Sequence, residues 1–280
     1  MKKITMALLI GAFLVILGSL VLSQFGPKKA VFSPFKGSKM AQELFLERKA
    51  IHDHCLLKIK EEFNIPEGSW QDLIETHFKG LVEADDLMGD SAQSANSHDS
   101  EIVGFAKQAL VDYGVNPDKV AIRLVAQSGS PCRAVQEIVY GPNDKNTIAH
   151  RLDINEGWVT KYPQAMQQAF IRHEIIHLIH YDSLEGGHII ALLNQLGLQE
   201  ADYAHKQSIV DYRHQRELRA DILSLCDYST AAKAAQDYFD EAMKKDPQQD
   251  DPQVWLTHPS DKKRHEQITQ LLSKNATTMA

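Results

Sequence analysis

The spacing of apolar residues along this 280-residue chain changes twice. Between Ala41 and Phe63, Leu44, Ile51, Cys55 and Ile59 fall at helical intervals, and Pro66 ends the run. Trp70 to Ala84 reads as a second helix and Glu101 to Tyr113 as a third, closed by Gly114. The polar stretch between them, 85–100, reads as a loop. After Asp118 the period drops to two. Val120, Ile122, Leu124 and Ala126 alternate with other residues, as do Ala134, Gln136, Ile138 and Tyr140, then Ile148, His150, Leu152 and Ile154. These are three short strands, separated by turn clusters such as Gly141-Pro142-Asn143-Asp144. Helical spacing then returns at Pro163 to Tyr181, about Gln199 to Asp227, Thr230 to Lys244 and Ser260 to Ser273. Helices, a small sheet and more helices, without an internal repeat, make an α+β fold. The expected organisation is a helical region over 28–117 followed by a second unit over 118–275.

The N-terminus departs from this pattern. After Lys2 and Lys3 there is no charge until Lys28, and Ile4 to Leu22 is nearly all apolar. A helix needs about 20 apolar residues to cross a bilayer. Cleavable signal peptides have a shorter apolar region, roughly 7–15 residues. The run is therefore read as a single-pass anchor over 1–27, with cleavage near Val21-Leu22-Ser23 and secretion as the alternative. A linker with Gly26, Pro27, Pro34 and Gly37 follows. Lys28, Lys29, Lys36 and Lys39 nearly balance the charges before the run, so the positive-inside rule is almost neutral. The short basic start and the lack of a second span favour a catalytic domain outside the cytoplasm, periplasmic in a bacterium.

Composition adds mainly exclusions. The net charge is -7 and the pI near 6.0, with no long basic run, which argues against nucleic acid as a partner. Cys55, Cys132 and Cys226 lie far apart and lack the CxxC spacing of a cysteine zinc site, allowing at most one disulfide.

Candidate chemistry begins at His173-Glu174-Ile175-Ile176-His177. On a helix, positions i and i+4 share a face about 5–6 Å apart, so both imidazoles can reach one ion at the roughly 2.0–2.1 Å of a Zn–N bond. Glu174 is one step round the helix, placed to serve a water in the metal's coordination sphere as general base. The bland alternative is a histidine-rich amphipathic helix. A catalytic zinc takes a third protein ligand. The elongated histidine version of the motif is missing, because positions 180 and 183 hold His180 and Ser183. Glu217, forty residues beyond His177 in Arg216-Glu217-Leu218-Arg219-Ala220-Asp221, is the candidate. Asp221, at i+4 from Glu217, could accept a hydrogen bond from the far nitrogen of a ligating histidine. Taken alone, that segment is an exposed charged helix. His180 reads as filler, His188 (after Gly186-Gly187) as loop, and His52, His54 and His214 as surface.

Three islands together resemble the M48 family of zinc metallopeptidases: His173-Glu174-Ile175-Ile176-His177, Glu217-Leu218-Arg219-Ala220-Asp221, and Thr257-His258-Pro259 with Arg264. The resemblance spans roughly Val120 to Leu272. It implies a mainly helical, zincin-like gluzincin endopeptidase holding one zinc per chain through His173, His177 and Glu217. It also implies His258 and Arg264 near the substrate and its oxyanion. Two features depart from the membrane-embedded members. There is one N-terminal apolar segment instead of several spans, and a short, polar connection joins the zinc helices. The expected partners are a protein or peptide substrate and, through the N-terminal helix, a membrane. Thr147 to Ile154 is the candidate edge strand for substrate pairing. A zinc hydrolase of a non-peptide bond and a non-catalytic, membrane-tethered interaction module are the rival functions.

Overall fold

The computed structural model describes residues 37–85, 87, 100–126, 130–142, 146–245 and 256–278. The expected anchor over 1–27 and all of 28–36 lie outside them, as does most of the loop expected over 85–100. Among the described residues no helix is long and apolar enough to cross a membrane. The chain divides at Pro34, and Phe35–Ala280 is one compact unit, so the helices before residue 117 and the elements after it share a core.

The order is helices, a sheet, then helices. Helix α1 is Lys39–Glu62, capped by the Ser38 hydroxyl, which accepts from the Ala41 N–H at 3.1 Å. Glu67–Trp70, the π-helical Gln71–Phe78 and Lys79–Ala84 follow one another as α2. Helix α3 is Glu101–Asp112. The strands are β1 (Val120–Leu124), β2 (Cys132–Val139) and β3 (Thr147–Ile154). Beyond them come α4 (Glu156–Val159), α5 (Gln164–Ile179), α6 (Asp182–Gln195), α7 (Glu200–Tyr203), α8 (Gln207–Leu225), α9 (Ser229–Lys245) and α10 (Asp261–Thr278). This mostly helical arrangement around a three-stranded sheet is the α+β class read from the sequence.

The strand order corrects one expectation. The sheet runs β1-β3-β2, with β1 parallel and β2 antiparallel to β3. Thr147–Ile154 is therefore the central strand, and β2 is the edge against α5. Period-two alternation marks a strand and its inward face but carries nothing about its neighbours.

A second correction concerns 182–195, read as a polar connection with His188 in a loop. It is helix α6, and Leu184, Ile189, Leu192 and Leu193 are buried. The Gly186-Gly187 pair suggested a loop, yet Gly186 meets a steric demand. A Cβ there would stand 2.9 Å from Nη1 of Arg216 on α8. Helix α6 begins almost without a connection. Tyr181 takes the left-handed conformation (φ 54, ψ 33) and turns the chain between α5 and α6. That conformation costs a non-glycine residue about 1 kcal/mol or more. It is held by burial of the ring and by the Tyr181 hydroxyl, which donates to Asp85 Oδ2 at 2.8 Å. His52 and His214 are buried too, against the surface reading. His52 on α1 pairs with Glu185 of α6 at 2.7 Å, and α1 packs along α8.

The core beneath these contacts joins Cys55 and Ile59 of α1, Trp70 and Ile74 of α2, Ile189, Leu192 and Leu193 of α6, and Ile209 and Tyr212 of α8. Ile171, Ile175 and Leu178 bury the face of α5 opposite the two histidines. Leu193, fully enclosed, tests this packing. Leu193→Ala should cost about 2–5 kcal/mol in urea unfolding. A loss below about 1 kcal/mol would place α6 outside the core.

Candidate metal centre

Helices α5 and α8 pack face to face and bring the expected ligands together. His173 and His177 stand one turn apart on α5, with Nε2 atoms 3.0 Å apart. Glu217 of α8 meets both, its Oε2 at 3.3 Å from His173 Nε2 and its Oε1 at 3.5 Å from His177 Nε2. A tetrahedral site with bonds of about 2.0–2.1 Å has ligand–ligand edges of about 3.3 Å. The three separations match that edge, and the three residues form a group able to hold a metal ion.

The far nitrogens fix what the near ones present. His173 Nδ1 lies 2.9 Å from Asp221 Oδ1, and His177 Nδ1 lies 2.6 Å from Asp182 Oδ2. A carboxylate accepts, so each Nδ1 donates its hydrogen and each Nε2 presents a lone pair. Two lone pairs and a carboxylate converging at this range require positive charge between them, either a proton or a metal ion. Burial opposes charging of His173, but Asp221 and Glu217 outweigh it and raise its pKa to about 10. Burial likewise opposes ionisation of Glu217, and His177 and His173 hold its carboxyl well below the usual range. The donor set of two imidazoles and one carboxylate, each imidazole backed by a further carboxylate, suits zinc.

The supporting carboxylates are themselves fixed. Asp221 takes two hydrogen bonds from Arg264, 2.7 Å from Nε and 2.6 Å from Nη2, and against the cost of burial Arg264 and His173 keep its pKa near 2. Asp182 is completely buried and pairs with Arg219, with Arg216 Nε at 3.6 Å. Burial would raise its pKa, but Arg219, Arg216 and then His177 push it well below the ordinary carboxylate range.

Asp221 thus stands where sequence reasoning put it. Arg264, expected near the substrate's oxyanion, gives both of its hydrogen bonds to Asp221. His258 lines the cleft, its side chain 48% exposed, with Nε2 3.7 Å from Glu217 Oε2 and Nδ1 2.8 Å from the Thr257 hydroxyl. Burial lowers its pKa from the ordinary histidine value. Glu174 faces the same cleft and accepts the Ala134 N–H of β2 at 2.7 Å. His180 is enclosed and stacks on Phe45, ring centroids 5.4 Å apart.

Family models, curated proteins and solved structures give no match to this chain. The likeness to M48 peptidases therefore rests on the three sequence islands.

Asp182 is the site residue that sequence reasoning missed. It follows His177 by five positions, which on an unbroken helix would carry it off the ligand face. Only the left-handed Tyr181 returns it. The one available signal was Gly186, which leaves space for Arg216 beside Asp182. Removing either supporting carboxylate should loosen the metal. Asp182→Asn and Asp221→Asn are each expected to weaken zinc retention about 10–100-fold in chelator competition. The assay should run well below the unfolding temperature, because Asp182→Asn also leaves Arg219 uncompensated. Unchanged retention in both variants would remove these carboxylates from the site.

Proposed function

We propose that this protein is a zinc-dependent endopeptidase. The observation that carries the reading is the convergence of His173 Nε2, His177 Nε2 and the Glu217 carboxylate at tetrahedral spacing in an open cleft, with Glu174 on the same wall. Zinc bound there would act as a Lewis acid on the scissile carbonyl and lower the pKa of a water toward about 7.

The chain's own groups divide the remaining work. Glu174 takes the proton of the attacking water and delivers it to the leaving amine. Its link to the Ala134 N–H keeps the carboxylate directed into the cleft rather than toward the ligands. His258, half exposed at the rim, is placed to donate to the developing oxyanion. Asp221 and Asp182 hold the two ligand imidazoles in the required tautomer, and Arg264 and Arg219 hold the carboxylates. The substrate main chain runs beside the outer edge of β2, where Ser130 to Ala134 line the cleft and the Ala134 N–H is already committed to Glu174. Recognition through the backbone favours a peptide over a small ester as substrate. M48-type endopeptidase chemistry with one zinc per chain fits these parts. We further propose that the apolar run over 1–27 anchors the chain, with the hydrolase outside the cytoplasm.

Glu174→Gln should keep about one zinc per chain yet lose about 10²–10⁴-fold in casein or peptide hydrolysis, because the base is gone and the ligands remain. His177→Ala and Glu217→Ala should lose metal and activity together. Cleavage by Glu174→Gln at the wild-type rate, or full zinc occupancy in Glu217→Ala, would defeat the assignment.

A further inference from the structure

Among the described residues, three arginines line the cleft, and they differ in what they bind. Arg133 stands exposed on β2, and Arg264 gives both of its hydrogen bonds to Asp221. Arg216 of α8, one residue before Glu217, has one ion pair among the described residues. Its Nε lies 3.6 Å from Asp182 Oδ1, beyond hydrogen-bond reach, and is buried without a hydrogen-bond partner. The side chain is still 18% exposed, which leaves the two Nη nitrogens as the donors open to the cleft.

The carboxylates around Arg216 are committed elsewhere. Asp182 takes the His177 Nδ1 hydrogen on Oδ2 and Arg219 on Oδ1. Glu185 meets both the Tyr212 hydroxyl, at 2.9 Å, and His52, at 2.7 Å, through Oε2. Glu217 faces the two ligand histidines. A guanidinium enclosed without an acceptor of its own is costly, so its presence in a cleft calls for one.

The fold also makes room for this fork and fixes it in advance. A Cβ at Gly186 of α6 would stand 2.9 Å from Nη1, so only glycine admits the guanidinium there. Tyr212, one turn earlier on α8, sets its ring 5.3 Å from the guanidinium carbon. A planar guanidinium with open nitrogens matches a carboxylate, whose two oxygens accept parallel N–H bonds. Residue 216 is displaced only about 1.5 Å from Glu217 along the helix axis, less than the roughly 3.3 Å between neighbouring residues of an extended peptide. An anion held there therefore belongs to a residue close to the bond presented to the triad.

We infer that Arg216 is an anion-recognition residue of the cleft and receives a peptide carboxylate, from either a C-terminus or an Asp or Glu side chain, near the bond presented to the triad. The inference rests on the peptidase reading for the identity of the ligand, while binding of the carboxylate requires no turnover.

The test separates the two. Calorimetry on full-length, zinc-loaded Glu174→Gln compares two sets of N-acetylated peptides. One set ends in a free carboxylate or an amide at successive lengths. The other is amidated throughout and exchanges Glu for Gln at one position, scanned along the peptide. One carboxylate should bind at least about tenfold tighter than its neutral counterpart, the worth of one charge-assisted pair. The set in which it appears identifies the source. Gly186→Ala in the same background keeps every charge and favours the helix, yet its Cβ displaces Nη1, so the preference should fall severalfold. Arg216→Gln should abolish the preference and leave the neutral peptides within about twofold, with zinc retained because Arg219 still pairs with Asp182. Either variant decides alone if the other fails to load zinc. Equal affinities throughout, no binding by any peptide, or a preference untouched in either zinc-loaded variant, as when the carboxylate binds the metal instead, would overturn the inference. Carboxylate-selective binding without cleavage by the wild type would sink the peptidase reading and leave the role of Arg216 standing. Cleavage by the wild type without that selectivity would do the reverse.

Discussion

Two imidazole lone pairs aimed at one point inside a carboxylate-lined cavity form the constraint on which this structure turns. Bringing His173 and His177 to within 3.0 Å at their Nε2 atoms is unfavourable unless a positive charge lies between them. Everything around the pair maintains that demand. Glu217 adds negative charge from the third side, and Asp221 and Asp182 draw the ring hydrogens to the outer nitrogens. Were either imidazole free to turn, the second nitrogen could take the proton and the site would no longer present two donors to one ion.

Supporting carboxylates buried this deeply would ordinarily take up protons. The fold prevents it by seating an arginine on each, Arg264 on Asp221 and Arg219 on Asp182. The arginines come from α10 and α8, so the electrostatics of the centre depend on helices far apart in sequence. Such buried pairs contribute little net stability and impose one geometry. The core of α1, α2, α6 and α8 provides the stability that lets the site carry this charge, and the left-handed Tyr181 is buried against Asp85 and His150.

The sheet has a narrower role. By leaving β2 at the edge against α5, it sets the Ala134 N–H against Glu174 and closes one wall of the cleft with backbone. The opposite wall, from α4, the start of α5 and α9, is aromatic. The cleft thus has a main-chain wall, a charged floor and an aromatic wall.

Much of this was legible in the sequence because it is local. Helical spacing placed His173 and His177 on one face of α5 and Glu217 and Asp221 on one face of α8, and period-two runs marked all three strands. These depend on neighbours within a few residues, where backbone geometry alone sets direction. The order of the strands, the burial of His52 and His214, the existence of α6 and the place of Asp182 were not legible. Each depends on which elements meet: β3 lies between its neighbours, His52 of α1 meets Glu185 of α6, and a left-handed tyrosine returns Asp182 beneath His177. The sequence by itself determined which residues could ligate and their register on each helix. Tertiary packing alone decided which carboxylates stand behind them, because the burial and arginine pairing that keep those carboxylates charged are made by segments distant along the chain.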